Sequence, residues 1–218
     1  MRRDDKETHP YETSQAAWHA LSHAVDHLHC LRTLLKDAHL MHMYAPYSIA
    51  RAALENACTA VWLLAPANRS ERILRRLRLV AKDIKGGEEA KRLVGSTGPR
   101  SESERLDEVR ALARRRGIDE HDAVRSIGYA KIVETAGDTS PAGKVPYLLT
   151  WRMCSAIAHG DLWATLNVVS REELPGSPPG LAHLRITANV QTLLYAVAFA
   201  VKMTSVGWRL YDERSRPL

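Results

Sequence analysis

Residues 48–65, Ser-Ile-Ala-Arg-Ala-Ala-Leu-Glu-Asn-Ala-Cys-Thr-Ala-Val-Trp-Leu-Leu-Ala, decide the fold. The strongly polar side chains in this stretch are Arg51, Glu55 and Asn56, so a helix over it is apolar on nearly all sides. Such a helix must be enclosed by other elements, and Pro46 and Pro66 mark its two ends. We therefore expect a bundle built around one central helix.

Helical patterns continue on both sides of this stretch. Apolar residues recur at steps of three and four from Ala17 to Ala38, which predicts a helix over residues 13–40. Asn68 and Glu71 form a capping-box-like start for a third helix, and the Gly86-Gly87 pair predicts its end. Further helices are expected over residues 103–116, 145–158 and 189–211, with Gly117 and Gly160 as terminating residues. Shorter helices are expected between residues 122 and 136, after a capping position at Asp119 and before Gly137.

The predicted fold class is all-α, a single helical bundle with a short β-hairpin near residues 162–187. The hairpin is expected because residues 162–169 and 183–187 are β-compatible runs separated by a turn-rich segment of proline and glycine. The expected organisation is a flexible tail over residues 1–12, one helical domain over residues 13–213 and a second tail over residues 214–218.

Composition narrows the class of protein. The chain has 218 residues, 45% of them hydrophobic and 26% charged, which excludes a disordered or collagen-like chain. Cys30, Cys58 and Cys154 are odd in number and lie in apolar helical patterns, so we expect free, buried thiols in a reducing compartment. The charged start of the chain is unlike a secretory signal, and the longest uncharged run, residues 186–201, is shorter than a membrane span. These features predict a cytoplasmic protein without membrane contact.

The positive charge is concentrated in one segment. The chain carries 31 Lys and Arg against 25 Asp and Glu, whereas residues 68–116 alone carry 15 against 8. Two interpretations stay open: a surface that binds the phosphates of RNA, or a solvated helix face with internal ion pairs. The candidate phosphate-binding residues are Arg69, Arg72, Arg75, Arg76, Arg78 and Lys82.

A histidine stripe is the second feature of interest. His19, His23 and His27 recur every four residues, the spacing at which two imidazoles on a helix can share a metal ion. A metal-binding helical bundle is therefore one hypothesis. Histidines at the boundary of the core, without a metal, are the favoured alternative, and we expect no cofactor.

The sharpest cluster lies in residues 151–160, Trp-Arg-Met-Cys-Ser-Ala-Ile-Ala-His-Gly. Arg152, Ser155 and His159 fall on one face of a helix, with Arg152 and His159 about 10 Å apart along the axis. Three polar groups on a largely apolar helix need partners, and Arg51 and Glu55 are the natural ones. A buried polar network that sets the register of two central helices is one interpretation, and a catalytic site is another.

The Arg-x6-His pattern resembles the signature of the HEPN (higher eukaryotes and prokaryotes nucleotide-binding) superfamily, which is all-helical. Residues 51–66, 71–72 and 155–163 also look like a group of uncharacterised actinobacterial helical proteins, and the likeness covers about residues 44–168. Active HEPN nucleases commonly carry a polar residue directly after the arginine, where this chain has Met153.

HEPN membership implies metal-independent RNA cleavage in a cleft between two protomers. His159 would then move the proton, Arg152 would hold the phosphate, and Ser155 would orient His159 or contact the phosphate. The implied partners are RNA, a second copy of the chain and a protein such as an antitoxin. Three hypotheses follow: an interaction module, RNA-directed in a defence or toxin–antitoxin setting; an endoribonuclease using Arg152 and His159; or the metal-binding bundle.

Overall fold

Helices dominate the computed structural model, which describes residues 1–176 and 178–216. The all-α prediction is confirmed. Within the described residues the α-helices are α1 (Arg2–Thr8), α2 (Thr13–Arg32), α3 (Ala45–Leu64), α4 (Arg69–Leu93), α5 (Glu102–Arg114), α6 (Glu120–Ala123), α7 (Tyr129–Gly137), α8 (Lys144–His159), α9 (Leu162–Val168) and α10 (Val190–Ser215).

Helix α3 is the centre of the bundle, as its apolar sequence predicts. Helices α2, α7, α8 and α10 all pack against it. Leu54, Val61 and Leu63 are fully buried, and they join Tyr147 of α8 and Met203 of α10 in one core. Packing by four helices removes the apolar surface of α3 from water, which a helix with few polar side chains requires.

A second apolar core lies between α4, α5 and α6. Ile73, Leu77 and Ile84 of α4 pack with Val109 and other apolar residues of α5. The predicted stop at Gly86-Gly87 is wrong, because α4 continues without a break to Leu93. The last turns of α4 are held to α5 by Glu88, which pairs with Lys91 at 2.7 Å and with Arg105 at 3.3 Å.

Several predicted helix ends are confirmed. The Asn68 side chain accepts a hydrogen bond from the Ser70 N–H, although Glu71 pairs with Arg75 rather than closing a capping box. Gly160 directly follows α8 and has a φ of +76°. Gly117 lies shortly after the end of α5 and has a φ of +62°. This left-handed conformation is strained for residues with a side chain, which explains why glycine stands at both positions.

The first predicted helix ends earlier than expected. The α-helix ends at Arg32 and is followed by one π-helical turn over Thr33–Asp37, so the helical segment stops before the expected residue 40. The thiols also differ in part from expectation: Cys58 and Cys154 are buried, whereas Cys30, on the outer face of α2, is exposed. All three are free.

The β-hairpin is present but its first strand is displaced. Strand β1 (Val169–Glu173) pairs antiparallel with β2 (Leu184–Ala188), in the register Val169↔Ala188. The predicted strand over residues 162–168 is helix α9 instead, because Ala164 and Val168, four residues apart, are buried against the bundle. Ser177 of the connecting turn lies outside the described residues.

Both chain ends carry more structure than the expected tails. Helix α1 occupies residues 2–8, and its Asp4 and Thr8 are buried. At the other end α10 extends to Ser215, and Arg214 donates to the carbonyls of Leu64 and Pro66. Pro217 and Leu218 of the expected second tail lie outside the described residues.

Helix α10 is long and apolar enough to cross a membrane by length and composition, with a mean hydropathy of 1.3 over an 18-residue window. The same helix contributes Ala200 and Met203 to the core around α3. A core helix of a bundle meets the same length and composition criteria, so the finding does not assign a location.

Candidate functional site

The residues singled out in α8 lie on an open face of the helix. Arg152 and His159 are exposed and Ser155 is half-buried, while Cys154 and Ile157 on the opposite side enter the core. His159 is the last residue of α8, and the Gly160 and Asp161 N–H groups bond back to the Ile157 and Ala156 carbonyls. The helix end that carries His159 is therefore fixed by its cap.

Arg152 and His159 have no hydrogen bond or ion pair with any side chain in residues 1–176 and 178–216. Their surroundings are apolar and exposed: Leu149 lies one turn before Arg152, and Leu162 and Trp163 follow the cap. Unpaired polar groups beside exposed apolar side chains are typical of a surface that meets another molecule.

The buried network predicted around Arg51 and Glu55 exists in a smaller form. Arg51 Nε lies 2.8 Å from Glu55 Oε1, and the two side chains are 24% and 14% exposed. Their third partner is Trp151, whose indole N–H donates to the same Glu55 oxygen at 2.6 Å. The Arg51 guanidinium also lies 5.7 Å from the Trp151 ring centre.

The network thus excludes Arg152, Ser155 and His159, contrary to the five-residue interpretation. Consecutive helical residues point about 100° apart, so a helix that turns Trp151 towards α3 turns Arg152 away from it. Sequence reasoning missed Trp151, although its spacing from the buried Tyr147 and Cys154 placed it beside the core. An indole N–H next to a core needs an acceptor, which was the available signal.

The basic residues of α4 are used inside the molecule. Arg72 is 6% exposed and makes a two-bond pair with Asp4 of α1, through Nε at 2.6 Å and Nη2 at 3.1 Å. Arg69 approaches the same carboxylate at 3.2 Å but keeps 45% of its side chain exposed. The single Asp4 carboxylate therefore offsets part of the positive charge of Arg69 and Arg72 at the start of α4.

Further along α4 the cations make other internal contacts. Arg75 pairs with Glu71 and donates to the Trp62 carbonyl, and Arg76 donates to the carbonyls of Tyr11 and Glu12. Arg78 bonds to Asp122, and the Lys82 ammonium lies 3.4 Å from the ring centre of Tyr129. These side chains join α4 to its neighbours, so the predicted phosphate-binding face is largely occupied by intramolecular partners.

The histidine stripe divides into a pair and a separate residue. His19 Nε2 and His23 Nε2 lie 3.0 Å apart, and both rings are exposed. His27 instead directs its Nδ1 to the His23 carbonyl at 2.6 Å. The structure therefore brings together two of the three predicted metal ligands.

Burial controls the chemistry of the internal thiols. Desolvation raises the pKa of Cys154 to about 12, with the nearby Arg51 charge opposing the rise, and burial likewise raises the pKa of Cys58. Thiols that stay protonated at neutral pH are poor nucleophiles, so these two cysteines are structural.

No protein-family model matches this chain, and neither the curated proteins nor the solved structures include one similar to it. The HEPN-like resemblance therefore stays a prediction from the sequence.

Proposed function

We propose that this protein is a HEPN-like module that forms a homodimer through the outer face of α8 and cleaves RNA there without a metal ion. The observation that supports the proposal is the shared exposure of Arg152 and His159 on one helix face, where neither has a hydrogen-bond or ion-pair partner among the described residues. A purely structural role would instead bury both groups and pair them.

The proposed chemistry uses the 2′-hydroxyl of the substrate as the nucleophile. His159 takes the proton of that hydroxyl as its oxygen attacks the adjacent phosphorus and forms the new P–O2′ bond. The P–O5′ bond breaks, and the leaving 5′-oxygen takes a proton from water, which regains one from the protonated His159. The products are a 2′,3′-cyclic phosphate and a 5′-hydroxyl. Arg152 supplies a fixed positive charge for the phosphate as negative charge develops on its oxygens.

The dimer completes the site in this proposal. One α8 face is convex and cannot enclose a nucleotide, whereas two faces related by a two-fold axis bring two Arg152–His159 pairs to one groove. Exposed Leu149, Leu162 and Trp163 supply apolar surface around these pairs. RNA is the expected partner, and a toxin–antitoxin or defence setting follows from the resemblance alone.

The deciding experiment incubates the protein with structured and unstructured RNA in excess EDTA. We expect cleavage with cyclic phosphate ends, and a loss of about 100-fold or more in His159→Ala, since proton transfer by a placed side chain contributes 10²–10⁴-fold. Arg152→Ala should also lose activity. His29→Ala and Arg171→Ala are matched controls because both residues are exposed and lie elsewhere.

Equal cleavage by the wild type and His159→Ala contradicts the proposal, as does an absence of cleavage on every RNA. Light scattering tests the dimer separately: Leu149→Glu should yield monomers, whereas a wild-type monomer at high concentration rejects the shared groove. A dimer that leaves RNA intact favours the second function, an interaction module whose exposed apolar face on α8 binds its own copy.

A further inference from the structure

We propose that His19 and His23 bind a divalent transition-metal ion, of the class of Zn²⁺, Ni²⁺ or Co²⁺, at the cleft between α2 and α4. The site is distinct from the α8 face, and it uses two histidines of the stripe rather than three. It does not depend on the proposed RNA chemistry.

The pair has the geometry of two ligands of one ion. The two Nε2 atoms lie 3.0 Å apart. A tetrahedral Zn²⁺ with Zn–N bonds of about 2.0–2.1 Å separates two nitrogens by about 3.3 Å, so a small ring movement admits the ion. Without an ion, the Nε2–H of one neutral ring donates to the bare Nε2 of the other ring. This hydrogen bond uses the only N–H of the donating ring.

The helix beneath the pair is rigidly held. Ala17, Leu21 and Ala24 on the inner face of α2 are buried against α3 and α10. His19 and His23, one turn apart, therefore have fixed backbones on the outer face, which lowers the entropy lost when the two rings are ordered by an ion. His27 is left out of the pair because its ring centre lies 6.4 Å from that of His23, whereas the ring centres of His19 and His23 are 4.3 Å apart.

The pair faces a cleft of about 890 Å³ that is lined by α2, α3, α4, α7 and α10. Asn56 and Thr59 of α3 and Asp83 of α4 contribute to its wall. Partial desolvation raises the pKa of the Asp83 carboxyl, while the charges of Arg76, Lys82 and His19 lower it. Within the described residues the Asp83 carboxylate has no ion-pair partner within 4 Å.

Asp83 is the group that a metal at the pair would attract. The Asp83 side chain lines the same cleft as His19 and His23, so its carboxylate can offset the charge of a divalent ion there, directly or through a bound water. Lys82 is turned towards the Tyr129 ring and Arg76 towards the carbonyls of Tyr11 and Glu12, so each of these cations has an internal partner.

The donor set selects the class of ion. Imidazole nitrogens suit Zn²⁺, Ni²⁺, Co²⁺ and Cu²⁺, whereas Mg²⁺ and Ca²⁺ prefer oxygen ligands. Two protein nitrogens leave coordination positions open towards the cleft, where water or a small anion completes the shell.

The test is calorimetric titration of the full chain, free of any oligohistidine tag and stripped with chelator, with Zn²⁺ and separately with Ni²⁺. We expect one site per chain, and His19→Ala and His23→Ala should each weaken it at least tenfold. Asp83→Asn should weaken it less. The matched controls are His27→Ala and His29→Ala, which should bind as the wild type does.

Circular dichroism is the control for folding. The variants are expected to fold because the substitutions lie on an exposed helix face. Absence of heat with either metal at millimolar concentration overturns the proposal, and so does equal loss in His19→Ala and His29→Ala. Mg²⁺ is the negative titrant, and binding of Mg²⁺ at the same affinity would also reject an imidazole site. No RNA is present in this experiment, so its outcome is separate from that of the cleavage assay.

Discussion

Trp151 and Glu55 join α8 to α3 through one short hydrogen bond, 2.6 Å from the indole nitrogen to the carboxylate oxygen. The same oxygen accepts from Arg51, so a single carboxylate satisfies two donors between the central helix and its neighbour. The bond fixes the rotation of α8 about its own axis. That rotation sets which side of α8 carries Arg152 and His159.

Replacing Glu55 with alanine is expected to lower the free energy of unfolding by about 2–3 kcal/mol. The substitution leaves the Arg51 guanidinium and the Trp151 N–H without their acceptor, and hydrogen bonds to charged groups contribute about 1.5–3 kcal/mol. Urea denaturation measures the loss. Glu89→Ala, an exposed glutamate, is the control and should change stability by less than about 0.5 kcal/mol. Equal stability of the two variants would contradict the buried role of Glu55.

Asp4→Ala is expected to destabilise the fold by about 3–5 kcal/mol, because it leaves Arg72 buried without its carboxylate. The two side chains are only 4% and 7% exposed, so water cannot replace the lost partner well. Thermal unfolding measures the loss, at about 2–4 °C for each kcal/mol in a chain of this length. Asp26→Ala, on the exposed side of α2, is the matched control. An Asp4→Ala protein as stable as that control would show that α1 is not a packed element.

Two glycine substitutions are expected to act in opposite directions. A Cβ at Gly137 would lie 2.9 Å from the Lys144 Cα and 3.3 Å from Tyr147, so Gly137→Ala should cost about 1–3 kcal/mol through overpacking. A Cβ at Gly86, inside the continuous α4, meets no described residue within 4 Å, so Gly86→Ala should stabilise by up to about 1 kcal/mol. Chemical denaturation of both variants checks the signs. A destabilising Gly86→Ala would mean that α4 breaks at the glycine pair.

Thiol labelling should separate the three cysteines. At pH 8 an aromatic disulfide reagent is expected to modify the exposed Cys30 rapidly, while Cys58 and Cys154 stay protected because burial raises the pKa of both thiols and blocks access. In denaturant all three should react. Cys30→Ser removes the fast phase, and a fast phase that survives this substitution would contradict the burial of the other two.

Stability is expected to fall as the pH rises above 9. The pKa of Cys154 is about 12 in the folded protein against an ordinary value of 9.0, so the folded state holds the proton more tightly than the unfolded chain does. Its contribution is complete below pH 9 and is lost between pH 9 and 12, at up to about 1.4 kcal/mol per pH unit. Tyr47, with its pKa raised by burial to about 12, acts in the same direction. Urea unfolding at pH 8 and pH 10 measures the slope, and Cys154→Ala should make it shallower.

Much of the fold was predictable because it depends on short-range patterns. The apolar run of α3, the caps at Asn68 and Asp119 and the left-handed glycines at 117 and 160 are local properties of the chain. The errors arose where a long-range contact overrode such a pattern. Helix α4 passes through Gly86-Gly87 because α5 holds its end, and α9 is helical because Ala164 and Val168 find a core to enter.

The sequence by itself determined that the chain is a helical bundle around α3, and that Arg152 and His159 share one helix face. Only the tertiary structure decided that this face points to solvent, that the basic side chains of α4 are largely paired inside the molecule, and that two histidines of the stripe meet. The physical reason is that helical periodicity places residues on one face of a helix, which is a local property. Whether that face is buried or exposed depends on how elements from distant parts of the chain pack against it.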